Sequence, residues 1–211
     1  MSLAFLCPGQ GSQNVGMGQD IFDNSDLAKS YFETANEILD VDIQDIMFNG
    51  PEQSLKQTQY TQPALYIVAV TIGLLLMEKG IKPTSVAGHS LGEYSAYTIA
   101  GSFDFETGLK IVKVRANSMQ NAGEDQPGTM AAIIGLDDET VMKITDNISG
   151  TVVVANFNSP GQVVISGAIE AVNSAMTAAK ESGARMVIPL NVSGAFHSPL
   201  MSSAREHFAE M

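Results

Sequence analysis

Gly88-His89-Ser90-Leu91-Gly92 is the stretch that most narrows what this chain can become. Glycines two residues to either side of a serine let a strand turn sharply into a helix with the hydroxyl at the apex, where larger side chains would collide across the bend. The flanks fit such a turn. Thr84 to Ala87 reads as a short buried strand, and Glu93 to Ala100 as a helix with Tyr94, Tyr97 and Ala100 at helical spacing. Ser90 is the candidate nucleophile, and an α/β fold is the expected class.

The remaining pattern extends that fold in both directions. Leu3 to Cys7 is a strand candidate, followed by a turn-rich loop, Pro8-Gly9-Gln10-Gly11-Ser12-Gln13, at the strand end where open α/β sheets place ligand contacts. Ser25 is placed to cap a helix over 26–39 whose Leu27, Tyr31, Ala35 and Ile38 recur along one face. Asn49-Gly50-Pro51 interrupts the next segment, and a long helix over 62–79 stops at Gly80. The apolar run from Ala64 to Met77 falls short of the roughly 18 residues a membrane span needs, so a buried helix is expected and no membrane partner. A further helix, 105–122, carries Leu109, Val112, Ala116 and Met119 on its apolar face.

From Pro127 the units shorten. Strands over 130–134, 152–155, 162–166 and 185–189 alternate with helices over 138–148 and 168–181. That order, β-α-β-β-α-β, is the ferredoxin-like arrangement. Residues 127–195 therefore read as a small ferredoxin-like subdomain inserted in a larger α/β body made of 1–126 plus 196–211.

Composition removes several function classes. Eleven basic against 23 acidic residues give a net charge of −12, which opposes a nucleic-acid partner because phosphate contacts need a concentrated basic surface. Cys7 is the sole cysteine and lies in an apolar run, so it reads as packing in a reducing, cytoplasmic setting. The short N-terminal apolar run lacks a basic leading segment and does not resemble a secretory signal. Three histidines and one cysteine show no ligand spacing, so neither a metal nor a redox cofactor is expected.

A serine hydroxyl needs a base to become a nucleophile. His89 adjoins Ser90, and neighbouring side chains on such a turn diverge; His207 lies in a terminal helical pattern among Arg205, Glu206 and Glu210, where a solvated role is expected. His197, after the Gly194-Ala195 bend, remains as the base, in the serine-then-histidine order of the α/β nucleophile turn. Pattern alone does not choose the group that orients it. The backbone N–H of Leu91 and that of Gln10, in its glycine-flanked loop, are the candidate oxyanion donors, although a plain tight turn would equally explain the second. Arg115 sits beside apolar residues on its helix and reads either as a clamp for a substrate carboxylate or as a surface arginine lying along the helix. Asn156 to Gly161 reads as a loop between two strands.

Taken in order, Pro8-Gly9-Gln10-Gly11-Ser12-Gln13, Gly88-His89-Ser90-Leu91-Gly92-Glu93-Tyr94-Ser95-Ala96, Val114-Arg115, Asn156-Phe157-Asn158-Ser159-Pro160-Gly161-Gln162 and Gly194-Ala195-Phe196-His197-Ser198 resemble the malonyl-CoA:acyl carrier protein transacylases and the related polyketide synthase acyltransferase domains. The resemblance implies an α/β-hydrolase-like large subdomain with a ferredoxin-like insert. It implies attack of Ser90 on malonyl-CoA with His197 as base, Gln10 and Leu91 at the oxyanion, and Arg115 on the malonyl carboxylate. Asn156 matches a position near the active-site cleft, and Phe196 matches the malonyl-selecting form of its motif. The implied partners are malonyl-CoA, a substrate and not a cofactor, and acyl carrier protein; a monomer is expected. Members of that family continue well beyond the position of Met211, where they carry a glutamine that orients the histidine. A serine esterase or thioesterase, or a weakly active fragment, is the alternative reading.

Overall fold

β1 (Ala4–Cys7) and β2 (Ser85–Gly88) pair in parallel, with Ala4 opposite Ser85 and Cys7 opposite Gly88. They belong to the first of two units, Met1–Asn117, in a computed structural model that describes residues 2–209. Helices supply the rest of this unit: α1 (Gln19–Asn24), α2 (Asp26–Leu39), α3 (Ile43–Phe48), α4 (Glu52–Leu55), α5 (Thr58–Glu78), α6 (Gly92–Ile99) and the first part of α7 (Phe105–Asp125). The division between units falls inside α7.

α2 occupies the expected span, and the Ala28 N–H donates to Ser25 Oγ at 3.2 Å, the cap the sequence implies. Its buried stripe is different. Ala28, Phe32 and Ala35 are buried, while Leu27, Tyr31 and Ile38 flank them half-exposed. Both sets have helical period; the choice falls to Phe32 because Phe22 and Phe48 meet its ring at 5.5 and 5.3 Å.

α5 starts four residues earlier than expected and carries Pro63 within it. Ala64, Tyr66, Ile67 and Val70 are fully buried, so its apolar surface is core on most sides. At its end Ile81 N–H donates to the Leu76 carbonyl past Gly80, whose φ of 82° supplies the left-handed stop. With those added residues α5 is long and apolar enough to cross a membrane by length and composition, which corrects the expectation from 64–77, but more than half of its most apolar stretch is buried inside the protein.

α6 buries Ser95, Ala96, Thr98 and Ile99, and Tyr97 is 53% exposed, so the Tyr94-Tyr97-Ala100 face is not the packed one. α7 buries Leu109, Val112 and Ala116 as their spacing implies. Gly108 fits because the Tyr66 hydroxyl, bonded to Thr98 and the Phe105 carbonyl, lies 2.1 Å from where a Cβ would stand.

In the second unit, Ser118–Met211, the order is β3 (Gly128–Ile134), α8 (Asp138–Asp146), β4 (Val152–Ser159), β5 (Gln162–Ala168), α9 (Ile169–Glu181) and β6 (Met186–Pro189). A single 3-10 turn, Pro199–Met201, and α10 (Ser202–Ala209) follow. All pairings are antiparallel, in the order β4-β5-β3-β6. Alternation sorts the sheet's two faces. Ala131, Ile133, Val163 and Ile165 pack with Val141 of α8 and Val172 and Ala175 of α9; Met130, Ala132 and Val164 pack with Phe196, Met201 and Ala204. β4 runs further than expected: its register slips between Val154 and Asn156, and Asn156 pairs with Val164 as a strand residue and not as part of the connecting loop.

Candidate functional site

The elbow forms as the glycines require. Ser90 adopts φ 52°, one of three non-glycine residues at positive φ among those described, and the chain passes from β2 into α6 within three residues. A Cβ on Gly88 would stand 2.0 Å from the Gly92 carbonyl carbon and one on Gly92 would stand 2.2 Å from the Cys7 carbonyl oxygen, so only glycine closes this bend. The N–H groups of Gly92, Glu93 and Tyr94 turn back onto the carbonyls of His89, Ser90 and Leu91. Leu91, whose amide precedes these three, is 1% exposed.

The loop after β1 lies against the elbow. His89 N–H donates to the Cys7 carbonyl at 3.0 Å, and a Cβ on Gly9 would meet the His89 carbonyl oxygen at 2.5 Å. Gln10 follows, and its Nε2 donates to Thr58 Oγ1 at 3.5 Å.

Arg115 reaches Ser90 from α7. Its Nη2 donates to Ser90 Oγ at 3.1 Å, its Nη1 donates to Gln62 Oε1 at 2.6 Å, and its Cζ lies 5.5 Å from the centre of the Tyr94 ring. Burial pulls the guanidinium below its ordinary value, while Tyr94 and Glu93 pull it back up; it stays cationic. The four close lysine–carboxylate pairs among the described residues are surface pairs, and none takes up this arginine. Of its two sequence readings, the one lying along the helix surface is excluded. Gln62 and Tyr94 were not singled out as site residues by the sequence. The one signal was that Thr58, Thr61 and Gln62, at helical spacing in the first turns of α5 ahead of its apolar run, are polar, and all three are buried.

The remaining candidates belong to the second unit. His197 has φ 59° and is exposed, in a turn clamped by Ser198, whose Oγ donates to the Ala195 carbonyl at 2.6 Å and accepts from Leu200 N–H at 3.2 Å. Phe196 is buried in the cluster with Met130, Val164 and Met201. Asn156 is half-buried beside the β4 bulge. His207 is exposed, in keeping with the solvated position expected of it, and its Nδ1 shares a 2.8 Å hydrogen bond with the buried Ser118 hydroxyl.

Residues 4–211 match the acyl transferase domain family, and the chain belongs to that family. The malonyl CoA-acyl carrier protein transacylase of Bacillus subtilis is 42% identical over 99% of this chain and 67% of its own length. A crystal structure of an acyl carrier protein S-malonyltransferase from Vibrio cholerae superposes with a TM-score of 0.92 at 42% identity, over 100% of this chain and 70% of that one. A malonyl-transacylase solved in complex with its type II polyketide acyl carrier protein gives 0.94 at 40% identity, over 100% of this chain and 69% of that one. The chain thus spans about two thirds of the length of these relatives.

Proposed function

We propose that this chain carries the acyl-accepting chemistry of a malonyl-CoA:acyl carrier protein transacylase, working by two successive transfers through a malonyl-serine ester. The observation that carries it is the guanidinium of Arg115 at 3.1 Å from the hydroxyl of an elbow serine. A nucleophile with a fixed cation at that range suits an acyl group whose free carboxylate sits one methylene from the reacting carbonyl. An esterase for uncharged acyl groups has no use for it.

In the first transfer Ser90 Oγ attacks the thioester carbonyl while His197 accepts the hydroxyl proton, the role its motif carries. Negative charge on the carbonyl oxygen is held by the N–H groups of Leu91 and Gln10, one at the start of α6 and one in the loop that abuts the elbow. The C–S bond then breaks, coenzyme A leaves as the thiol with that proton, and the acyl group stays on Ser90. In the second, the phosphopantetheine thiol of acyl carrier protein gives its proton to His197 and attacks the ester carbonyl; the bond to Ser90 Oγ breaks, His197 returns the proton to that oxygen, and the malonyl group leaves as the carrier thioester. The tethered thiol outcompetes water through its high effective concentration. Asn156 lies near the cleft and Phe196 favours the malonyl unit, both by family motif. Coenzyme A enters as substrate, and the reaction calls for neither metal nor redox cofactor. The architecture that fits this reading is an α/β-hydrolase-like body, 1–126 with 196–211, and a ferredoxin-like subdomain, 127–195, supported by the β-α-β-β-α-β order and the β4-β5-β3-β6 sheet. A cytoplasmic monomer that binds no nucleic acid completes the reading.

Intact-mass measurement after mixing with malonyl-CoA tests it. One malonyl adduct is expected on the wild type and none on Ser90→Ala. An adduct that survives Ser90→Ala, or acetyl-CoA and malonyl-CoA reacting equally in both the wild type and Arg115→Ala, would overturn the proposal in favour of an unselective esterase.

A further inference from the structure

We infer that Gln62 is the specificity-determining positioning residue of this site: its neutral amide fixes the Arg115 guanidinium beside Ser90 while leaving the positive charge uncompensated for an incoming carboxylate. The inference rests on the malonyl-transfer reading for its substrate, and on local geometry for everything else.

Gln62 is 1% exposed, one turn into α5, and is the one buried amide of that helix, whose other buried polar side chains are the hydroxyls of Thr58, Thr61, Tyr66 and Thr71. A buried amide needs a reason to be there, since its polar atoms must be satisfied at the site. Its Oε1 accepts from Arg115 Nη1 at 2.6 Å, a short, charge-assisted bond. The same guanidinium donates to Ser90 Oγ through Nη2 and lies over the Tyr94 ring, so amide, aromatic face and hydroxyl together fix both the plane and the direction of the fork. Rotation about the arginine's long side chain is thereby suppressed before any substrate arrives, which lowers the ordering cost of binding.

The choice of an amide decides the selectivity. Buried cations are ordinarily paired with a carboxylate, and glutamate would reach the same point with the same number of atoms. A carboxylate there would neutralise Arg115 and would repel the acid end of a malonyl group. Glutamine makes the orienting bond without either effect. Among the described residues the carboxylate acting on the Arg115 charge is that of Glu93, exposed in the first turn of α6.

The test compares the rates of Ser90 acylation by malonyl-CoA and by acetyl-CoA, in wild type, Gln62→Glu and Gln62→Met, with thermal melts as a folding control. Gln62→Glu should lower the malonyl-to-acetyl ratio about tenfold to a hundredfold, the range of a charged hydrogen bond lost. Gln62→Met, similar in volume but without the acceptor, should raise the malonyl-CoA KM more than it lowers kcat. A folding defect would depress both thioesters together and leave the ratio in place, and an unchanged ratio in both variants overturns the inference. If the wild type accepts neither thioester, the transfer reading fails by itself, and the clamp is read from side-chain nitrogen NMR of Arg115. Resolved Nη1 protons in the wild type that merge in Gln62→Met then uphold it, and identical spectra overturn it.

Discussion

The two sheets of this molecule are completed in opposite ways. β4-β5-β3-β6 is antiparallel, with apolar clusters on both faces and Ile133, Val163 and Ile165 at 0% exposure. β1 and β2 form a parallel pair of four residues each, and Leu6, in the middle of β1, is 79% exposed. Parallel pairing is ordinarily stable only where both faces are covered. The strained serine thus follows directly on the thinner sheet, and the groups around it come from helices: α5 supplies Gln62, α6 Tyr94 and α7 the half-buried Arg115. Chemistry here depends on helix packing more than on strand pairing.

A matched pair of substitutions breaks this comparison most sharply. Gly88→Ala drives a Cβ to 2.0 Å from the Gly92 carbonyl carbon, and Gly167→Ala drives one to 2.0 Å from the Thr151 carbonyl oxygen. Both obstacles are backbone, so each change should cost about 3 kcal/mol or more, the upper end for overpacking. Their consequences differ. Gly88→Ala is expected to abolish malonyl adduct formation, whereas Gly167→Ala should loosen β4 against β5 and leave the elbow's own hydrogen bonds protected in amide exchange. Loss of protection across α6 in Gly167→Ala would show that the first unit does not hold its site by itself.

Core truncation sharpens the same contrast. Leu109 and Ile165 are each fully buried, one in each unit, and replacement by alanine should cost about 2–5 kcal/mol at either place. The prediction concerns where protection is lost: α5 to α7 for Leu109→Ala, β3 to β6 for Ile165→Ala. Uniform loss across the chain in both variants would mean that the units unfold as one.

The same asymmetry governed what could be read from the sequence. Strong periodicity placed α2, α7 and the six elements from β3 to β6 to within a few residues, because alternation and helical spacing recur there. α1, α3 and α4 have four to six residues, too few to present a period, and were not anticipated. Which stripe of α2 is buried depends on Phe22 and Phe48, partners that a helical wheel does not contain. At the site, Ser90 was legible because its turn needs glycines at fixed offsets. Gln62 was harder to read, because one of several polar residues in the first turns of α5 is tied to the site only by an arginine 53 positions away.

A smaller effect is expected at Ser166, whose hydroxyl is buried in the second sheet without a hydrogen-bond partner. An unsatisfied hydroxyl costs about 1–3 kcal/mol of desolvation, so Ser166→Ala should raise the melting temperature by a few degrees. The first unit has no counterpart among the described residues, since its buried Thr61, Tyr66, Thr71 and Thr98 hydroxyls are all bonded. A fall in melting temperature would reveal a partner for that oxygen.

The smallest contrast is one the units share. Asp104 accepts from the Thr107 N–H ahead of α7, and Asp137 caps α8 by accepting from the N–H and hydroxyl of Thr140. Those bonds, from the backbone first, hold both carboxyls below their ordinary value. A carboxyl that binds its proton less readily when folded contributes stability above the unfolded value of about 3.9, and that contribution disappears as pH falls through the lower folded value. Asparagine caps nearly as well and does not titrate. Asp137→Asn should therefore melt close to wild type at neutral pH and lose less stability as pH falls past the unfolded carboxyl value of about 3.9 toward the lower value of the folded cap. Asp104→Asn should behave alike. Parallel wild-type and variant melting curves down to pH 3 would mean that both caps keep a free carboxylate's affinity for the proton.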